Sequence, residues 1–381
     1  MRKQKADEEL TLDKVAENYN KKYGDATVVV GGNVMRDAPR IPSGIFPVEY
    51  ATGAGLPIWR SSCVWGPPSA GKSSLAARFM WGVANMCFTC FRLKWLCRCK
   101  KTERKTLKSV MIDVEGTFDK NWANALGLDD STYYYVSPET GEQAVDIADS
   151  MVKAKDCGLV VIDSLAAITP STELDGSAYD NPIALQARLV SNLFRRVTQR
   201  VIGERKENHA IAALFINQIR AGMGKGKMGG PPPEDQPSGY AAKFAYSMAM
   251  RVGARSVNPA KEKDKIDSRG GMALVAKTSL RINKHKLMVL SNTAEYEIVK
   301  GREYNGFPQG TILDTTALMA YARELGIIGK DGKTGYKMGA KTFRVLEDIQ
   351  TYLLETPDVA FSMKQLVIGK AKQMEKERRD A

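Results

Sequence analysis

The chain has 381 residues, 43% hydrophobic and 26% charged, enough to bury a sizeable core as one large domain with one or two small ones. No apolar run approaches the ~20 residues of a membrane span, and the charged opening MRKQKADEEL lacks a signal peptide's apolar region, so a cytoplasmic protein with reduced thiols is expected. The 56 basic against 43 acidic residues, a net charge of +13, favour a polyanionic partner over a merely acidic substrate.

In chain order, Leu10, Leu12, Val15 and Tyr19 fall at helical spacing ahead of a short VVV strand. Taken alone, this predicts a helix packed on the chain's own core. Beyond it, SSCVWG (61–66), SVMIDV (109–114), YYYV (133–136), LVVID (159–163) and IAALFIN (211–217) predict buried strands. Between them, SLAARFMWGVANM, the segment after Asp119 and TGEQAVDIADSMVKA predict helices, the last opened by a capping box from Thr140 to Gln143. The alternation predicts an α/β core on a mostly parallel sheet. AGMGKGKMGGPPPEDQPSG (221–239) is too rich in Gly and Pro for helix or strand, which predicts a long functional loop. Residues 311–381 predict a small, mainly helical or α/β C-terminal unit.

GPPSAGKS at 66–73 fits GxxxxGK[ST] between a strand and a helix, the pattern of a P-loop. Gly66 and Gly71 let the backbone curl so that its N–H groups face phosphates at the positive end of the helix, with Pro67, Pro68, Ser69, Ala70 and Ser74 completing the binding loop. Lys72 would reach the β- and γ-phosphates of ATP, and the Ser73 hydroxyl would take one position on Mg²⁺. LVVID ends in Asp163, the expected second magnesium ligand, and VMIDVEG ends in Glu115 at the sheet edge where a nucleotide would lie. A carboxylate closing a buried strand is seldom there for packing, so Glu115 is read as the group that orients and polarises water.

Between the P-loop helix and the strand before Glu115, CFTCFRLKWLCRC (87–99) holds four of the six cysteines. Cys87-x2-Cys90 and Cys97-x-Cys99 suit a knuckle offering four thiolates to one tetrahedral Zn²⁺, ahead of idle thiols and of a redox disulfide. In a short, lysine-rich excursion, four reduced thiols this close would otherwise be neither buried nor stable. Residues 87–109 carry eight Lys or Arg against Glu103 alone, a local +7 that suits a solvated loop and a nucleic-acid patch equally. Cys63 and Cys157 read as ordinary buried thiols.

With these motifs the chain resembles the RecA family of homologous recombinases, bacterial or phage in type more than archaeal or eukaryotic. The matching strings are IPSGIFPVEYATGAGLP (41–57), GPPSAGKSS, MIDVEGTFDKNWANALG (111–127), ETGEQAVDIAD (139–149), VVIDSLAAITP (160–170), FINQIR (215–220), GYAAKF (239–244) and INKHK (282–286). The resemblance implies a P-loop ATPase core over 37–310 with the insertion at 86–108, an N-terminal oligomerisation arm over 1–36 and a C-terminal domain over 311–381. It implies a DNA-dependent ATPase that forms a helical filament on single-stranded DNA, pairs it with homologous duplex and exchanges strands. It also implies roles for single residues. Asp119 and Trp122 would contact adenine, with Trp122 replacing a tyrosine. Gln218 would relay nucleotide state to the DNA surface, and Lys284 and Lys286 would reach the neighbour's ATP.

The first DNA loop would be 172–183 and the second 221–239. Lys225, Lys227, Arg188 and Arg195, with Arg220, would take phosphates without regard to base sequence. Ile183 or Met228 would wedge between bases or simply pack. The chain departs from the family in having no aromatic residue and three added prolines (231–233) in the second loop, and in ending in KQMEKERRDA instead of an acidic tail. A ring-forming DNA motor and an ATP-switched structural filament are the competing readings.

Overall fold

The computed structural model describes residues 11–24, 27–28, 38–175, 183–221, 234–235, 246–255, 273–332 and 335–380. Eight strands form the central sheet: β1 (Ser61–Gly66), β2 (Lys108–Asp113), β3 (Tyr133–Val136), β4 (Cys157–Asp163), β5 (Ala212–Gln218), β6 (Met248–Arg255), β7 (Val275–His285) and β8 (Thr293–Val299). Their spatial order is β8-β7-β6-β1-β5-β4-β2-β3. From β6 to β3 the strands are parallel, and β7 and β8 turn back antiparallel at the other edge.

The helices are α1 (Leu12–Tyr23), α2 (Phe46–Thr52), α3 (Lys72–Asn85), α4 (Lys120–Ala125), α5 (Gly141–Lys153), α6 (Ser171–Asp175), α7 (Ile183–Gly203), α8 (Thr315–Glu324), α9 (Leu346–Glu355) and α10 (Pro357–Asp380). Because side chains alternate along a strand, the sheet feeds two cores. Val161 and Leu214 meet Leu75, Phe79 and Val83 of α3 on one face. Val160, Ile162 and Phe215 meet Val145 of α5 and Leu193, Phe194 and Val197 of α7 on the other. At the start of α5, Thr140 Oγ1 accepts from Gln143 N at 3.2 Å while Gln143 Oε1 accepts from Glu139 N at 3.0 Å.

Two expectations differ from what the chain does. YYYV is a strand but not a buried one: β3 ends the sheet and has a neighbour on one side only, leaving Tyr134 and Tyr135 about half exposed. Helix α1 does not pack on the chain's own core, since none of its residues is buried and Leu12 is 87% exposed. The C-terminal unit takes the α/β form of the two expected, its helices accompanied by a three-stranded antiparallel sheet of Ile328–Asp331, Gly335–Met338 and Lys341–Phe343. Of the VVV strand, Val29 and Val30 lie outside the described residues.

The C-terminal unit has its own core of Leu318, Ile349, Leu353 and Val367, into which α2 inserts Phe46. A buried polar joint fixes it to the sheet domain. Lys364 Nζ donates to Asp314 Oδ2 at 2.7 Å and to the Gly44 carbonyl at 3.1 Å, and Asp314 Oδ2 also accepts from Phe46 N at 2.7 Å. No described helix is long and apolar enough to cross a membrane.

Candidate functional site

Strand β1 ends at Gly66 and the chain turns into α3 through Pro67, Pro68, Ser69 and Ala70. Both glycines of the turn are required. Gly71, the N-cap of α3, has φ +90°, and a Cβ on Gly66 would lie 2.2 Å from the Val252 carbonyl oxygen. The loop closes around Lys72, whose Nζ donates to the carbonyls of Gly66 at 3.2 Å and Pro67 at 2.7 Å. Burial draws the Lys72 pKa down, while Asp163 and Glu115 oppose that shift.

Strand register delivers the partners. Gly66 lies opposite Gln218 and Asp113 opposite Asp163, so the ends of β1, β2, β4 and β5 reach one edge of the sheet. There Ser73 Oγ donates to Asp163 Oδ2 at 2.7 Å. These oxygens are placed to share a divalent cation. Burial raises the Asp163 pKa from 3.8 to about 6; Glu115 and Asp113 add to the rise, and the Ser73 hydrogen bond and Lys72 oppose it.

That shift has a consequence for stability. The folded chain holds the Asp163 proton up to about pH 6 and the unfolded chain releases it near 3.8. Stability contributed by this group is therefore lost as pH rises through that window, and the ionised group penalises the fold at neutral pH. Asp163→Asn should raise the thermal midpoint of the nucleotide-free protein at pH 8 by a few degrees, equivalent to about 3 kcal/mol at most, with the gain shrinking toward pH 4. An unchanged or lower midpoint at pH 8 would show that the carboxylate is already compensated.

Glu115, just past β2, is exposed, and both its carboxylate oxygens accept from Gln218 Nε2 at 2.8 Å. Asp113 shapes the loop that carries it. Its Oδ1 accepts from Gly116 N at 2.8 Å, and its Oδ2 accepts from Phe118 N at 2.9 Å and from the Tyr135 hydroxyl at 3.2 Å. Its one mark in the sequence is being a second acid two places before Glu115.

A cleft of about 640 Å³ opens beside the P-loop, lined by Asp119 and Trp122 on one wall and by Lys277, Thr278, Lys300 and Gln309 on the other. Trp122 Nε1 donates to Ser74 Oγ at 2.8 Å, which stands the indole next to the P-loop on the wall of the cleft. Asp119 caps α4, accepting from Trp122 N at 3.0 Å. The opposite wall has no motif, because its residues come from β7, β8 and the turns after them.

Lys284 and Lys286 are not brought to this cleft. His285 pairs with Met248 and Met248 with Ser62, at the start of β1, whereas the P-loop follows its end. Four strand residues, about 13 Å, separate the two levels. Lys284 Nζ lies 5.6 Å from the centre of the Tyr246 ring, and burial followed by the neighbouring Lys286 lowers its pKa. Lys286 instead lines a cleft of about 940 Å³ with Arg188 and Arg195, which lie two turns apart on one face of α7.

Lys225, Lys227 and Met228 lie outside the described residues, as do the side chains of Ile183 and Arg220. Within the second loop's span, Ala221, Glu234 and Asp235, expected in a segment without strand, instead form a ribbon: Arg220 pairs with Asp235 and Ala221 with Glu234. These residues flank the Gly-Pro tract, so their backbones can pair where the loop's two limbs come together. The first loop opens on α6, which runs to Asp175.

A sequence profile described as the RecA N-terminal domain matches residues 10–305. The chain belongs to the RecA family. It is similar to Protein RecA of Mycobacteroides abscessus (31% identity, 94% of this chain and 91% of the relative) and of Frankia casuarinae (30%, 93% and 90%). Protein RecA of Salinispora arenicola is 30% identical over 96% of this chain and 92% of its own length.

In this RecA-family chain the cysteine segment continues from α3 as a hairpin of Met86–Cys87 and Arg92–Leu93. The four sulfur atoms of Cys87, Cys90, Cys97 and Cys99 lie within 4.8 Å of one another, and Cys90 Sγ is 3.5 Å from Cys97 Sγ. A tetrahedron with zinc–sulfur bonds of about 2.3 Å has edges of about 3.8 Å. A disulfide needs about 2.05 Å, and all six cysteines are free thiols. Burial works against the Cys87 thiolate, yet the amides of Cys90 and Thr89 outweigh it and bring the thiol down to about 6. Cys99 is pushed up to about 12 by the thiols of Cys97 and Cys90. Burial pushes Cys63 and Cys157 to about 12 as well, which leaves them inert.

The segment is also not a detached excursion. Met86, Cys87, Phe88 and Leu93 are buried, and Phe88 and Leu107 join the α3 side of the main core, because the hairpin starts directly from the buried face of that helix.

Proposed function

We propose that this chain is a DNA-dependent ATPase that assembles as a helical filament on single-stranded DNA, pairs that strand with homologous duplex and exchanges strands, in recombination and repair in the cytoplasm. The observation that best supports the reading is the paired contact from Gln218 to Glu115. It ties the carboxylate placed for water to the end of β5, two residues before the ribbon at the foot of the second DNA loop. An event on the loop can thereby move the group that acts on water.

In this reading the cleft takes ATP, with the base beside Trp122 and the phosphates at Gly66–Ser74. Magnesium held by Ser73 and Asp163 would neutralise charge on the β- and γ-phosphates. Lys72 leaves its loop carbonyls to meet the same phosphates. Glu115 orients water and takes its proton, and Lys284 and Lys286 act on the nucleotide of an adjacent subunit. The four thiols of the insertion hold zinc, which serves structure and takes no part in hydrolysis.

An ATPase assay with and without single-stranded DNA, coupled to a strand-exchange gel, tests the reading. DNA-stimulated hydrolysis with exchanged product is expected; closed rings that unwind duplex without exchange would overturn it. Salt gives a further check. Single-strand affinity should fall by ~0.7 log units per phosphate contact for each log unit of salt. Replacing Arg188 and Arg195 with Ala should reduce that slope by about 1.4, and an unchanged slope would remove α7 from the DNA surface.

A further inference from the structure

The loop between the second and third cysteines carries Trp95, and its indole does not face open solvent alone. Its centre lies 5.2 Å from the ring of Phe361 on α10, edge to face, and 6.2 Å from Trp81 on α3. Trp81 stacks on Phe361 at 5.9 Å and 22°. Charges close both ends of the stack: the Arg78 guanidinium lies 4.0 Å over Trp81 and Lys364 Nζ 4.8 Å from the Phe361 centre. Lys364 is the residue whose bonds to Asp314 and Gly44 fix the C-terminal unit to the sheet domain. Three separate parts of the chain therefore meet at one aromatic ring.

Of the three, only the Trp95 segment lacks regular structure long enough to hold itself. It is a 3-10 turn of three residues, Lys94–Leu96, with Cys97 directly after it. Arg104 anchors the stretch from Cys97 to Cys99, donating to the carbonyls of Cys99 at 3.2 Å and Cys97 at 3.3 Å. Those bonds and the turn bond from Cys97 N to the Lys94 carbonyl offset only part of the entropy lost in ordering such a segment, and closing its loop would lower that cost. The four sulfur atoms, grouped within 4.8 Å on either side of Trp95, are placed to do so.

We propose that the four-cysteine site is a metal-dependent clasp: a zinc ion on Cys87, Cys90, Cys97 and Cys99 fixes the Trp95 turn and thereby holds α10, and with it the C-terminal unit, against the ATPase core. The inference rests on the zinc reading above but goes beyond it, by giving the metal a defined mechanical role. Removing zinc then loosens the attachment of the C-terminal unit while leaving the P-loop, which shares no residue with the clasp, able to bind ATP.

Hydrogen exchange on the full-length protein, with zinc measured on the same samples, decides the matter. The purified protein should hold about one zinc per chain. Stripping it with a chelator, without nucleotide, should speed amide exchange in 86–99 and in the 357–371 part of α10 by about tenfold or more, with ATP binding unchanged. Trp95→Ala keeps all four thiols, so it should retain zinc and speed exchange in 357–371 alone. Cys90→Ser/Cys97→Ser should lose the metal; if it fails to fold, chelation of the wild-type protein still gives the answer. Protein that folds with no zinc and acquires none on reconstitution overturns both the zinc site and the clasp. Zinc bound, with exchange in 357–371 indifferent to both chelation and Trp95→Ala, overturns the clasp and leaves the zinc site standing. Neither result bears on DNA-stimulated hydrolysis, which reports separately on the recombinase reading.

Discussion

Glu115→Gln should lower ATP turnover by about 10² or more while ATP and single-stranded DNA still bind. The substitution keeps size and shape and leaves an amide oxygen to accept from Gln218 Nε2, which now lies 2.8 Å from both carboxylate oxygens. The variant can therefore still register the position of β5. What it cannot do is take a proton from water. Complexes on DNA should consequently form normally and persist, because the step that ends them is slow. Single-turnover hydrolysis beside a filter-binding or anisotropy measurement separates the two effects. Turnover at the wild-type level would remove Glu115 from the chemistry.

Replacing Lys284 and Lys286 together with Ala should abolish DNA-stimulated hydrolysis and leave ATP binding by the single subunit intact. These lysines lie at the level of Ser62 and Met248, one strand length from the P-loop of their own chain, and so have no route to their own nucleotide. If they act, they act across a joint between subunits. A mixing experiment exposes this directly. Lys72→Ala chains have intact lysines and a broken P-loop, and the double variant has the converse, so filaments of both contain joints with two sound halves. Hydrolysis should reappear in the mixture although each variant alone is inactive. A double variant that hydrolyses ATP normally on DNA would end the assignment.

The residues that met in space were legible in the sequence where backbone geometry demands particular residue types. Gly66, Gly71, Lys72 and Ser73 form a local pattern, and Asp163 and Glu115 announce themselves as charges closing apolar strands. The wall of Lys277, Thr278, Lys300 and Gln309 was not legible, because it faces the P-loop only through pairing of β6 with β1 and of β7 with β6, a long-range register with no local signature. The exposure of β3 escaped for a similar reason: YYYV looks the same at a sheet's edge as at its centre. In the cysteine segment, spacing disclosed the cluster, but nothing in it disclosed that Phe88 and Leu93 would be buried or that Trp95 would find Phe361. Such contacts depend on where α10 returns, far along the chain.

The exposure of Glu115 in the single subunit carries a consequence of another kind. Two unit charges 4 Å apart interact by about 1 kcal/mol in bulk water and by about 4 kcal/mol at an effective dielectric constant near 20. Lys72 and Asp163 are already buried, so a neighbour seated over the cleft would expel water chiefly from around Glu115 and strengthen its interactions with the incoming lysines by up to about fourfold, without moving an atom. Wetness of the joint then becomes a rate-setting variable in its own right. A stretched or loosely seated segment of filament would hydrolyse slowly with all its catalytic residues present, and small solutes that draw water out of such joints would quicken it.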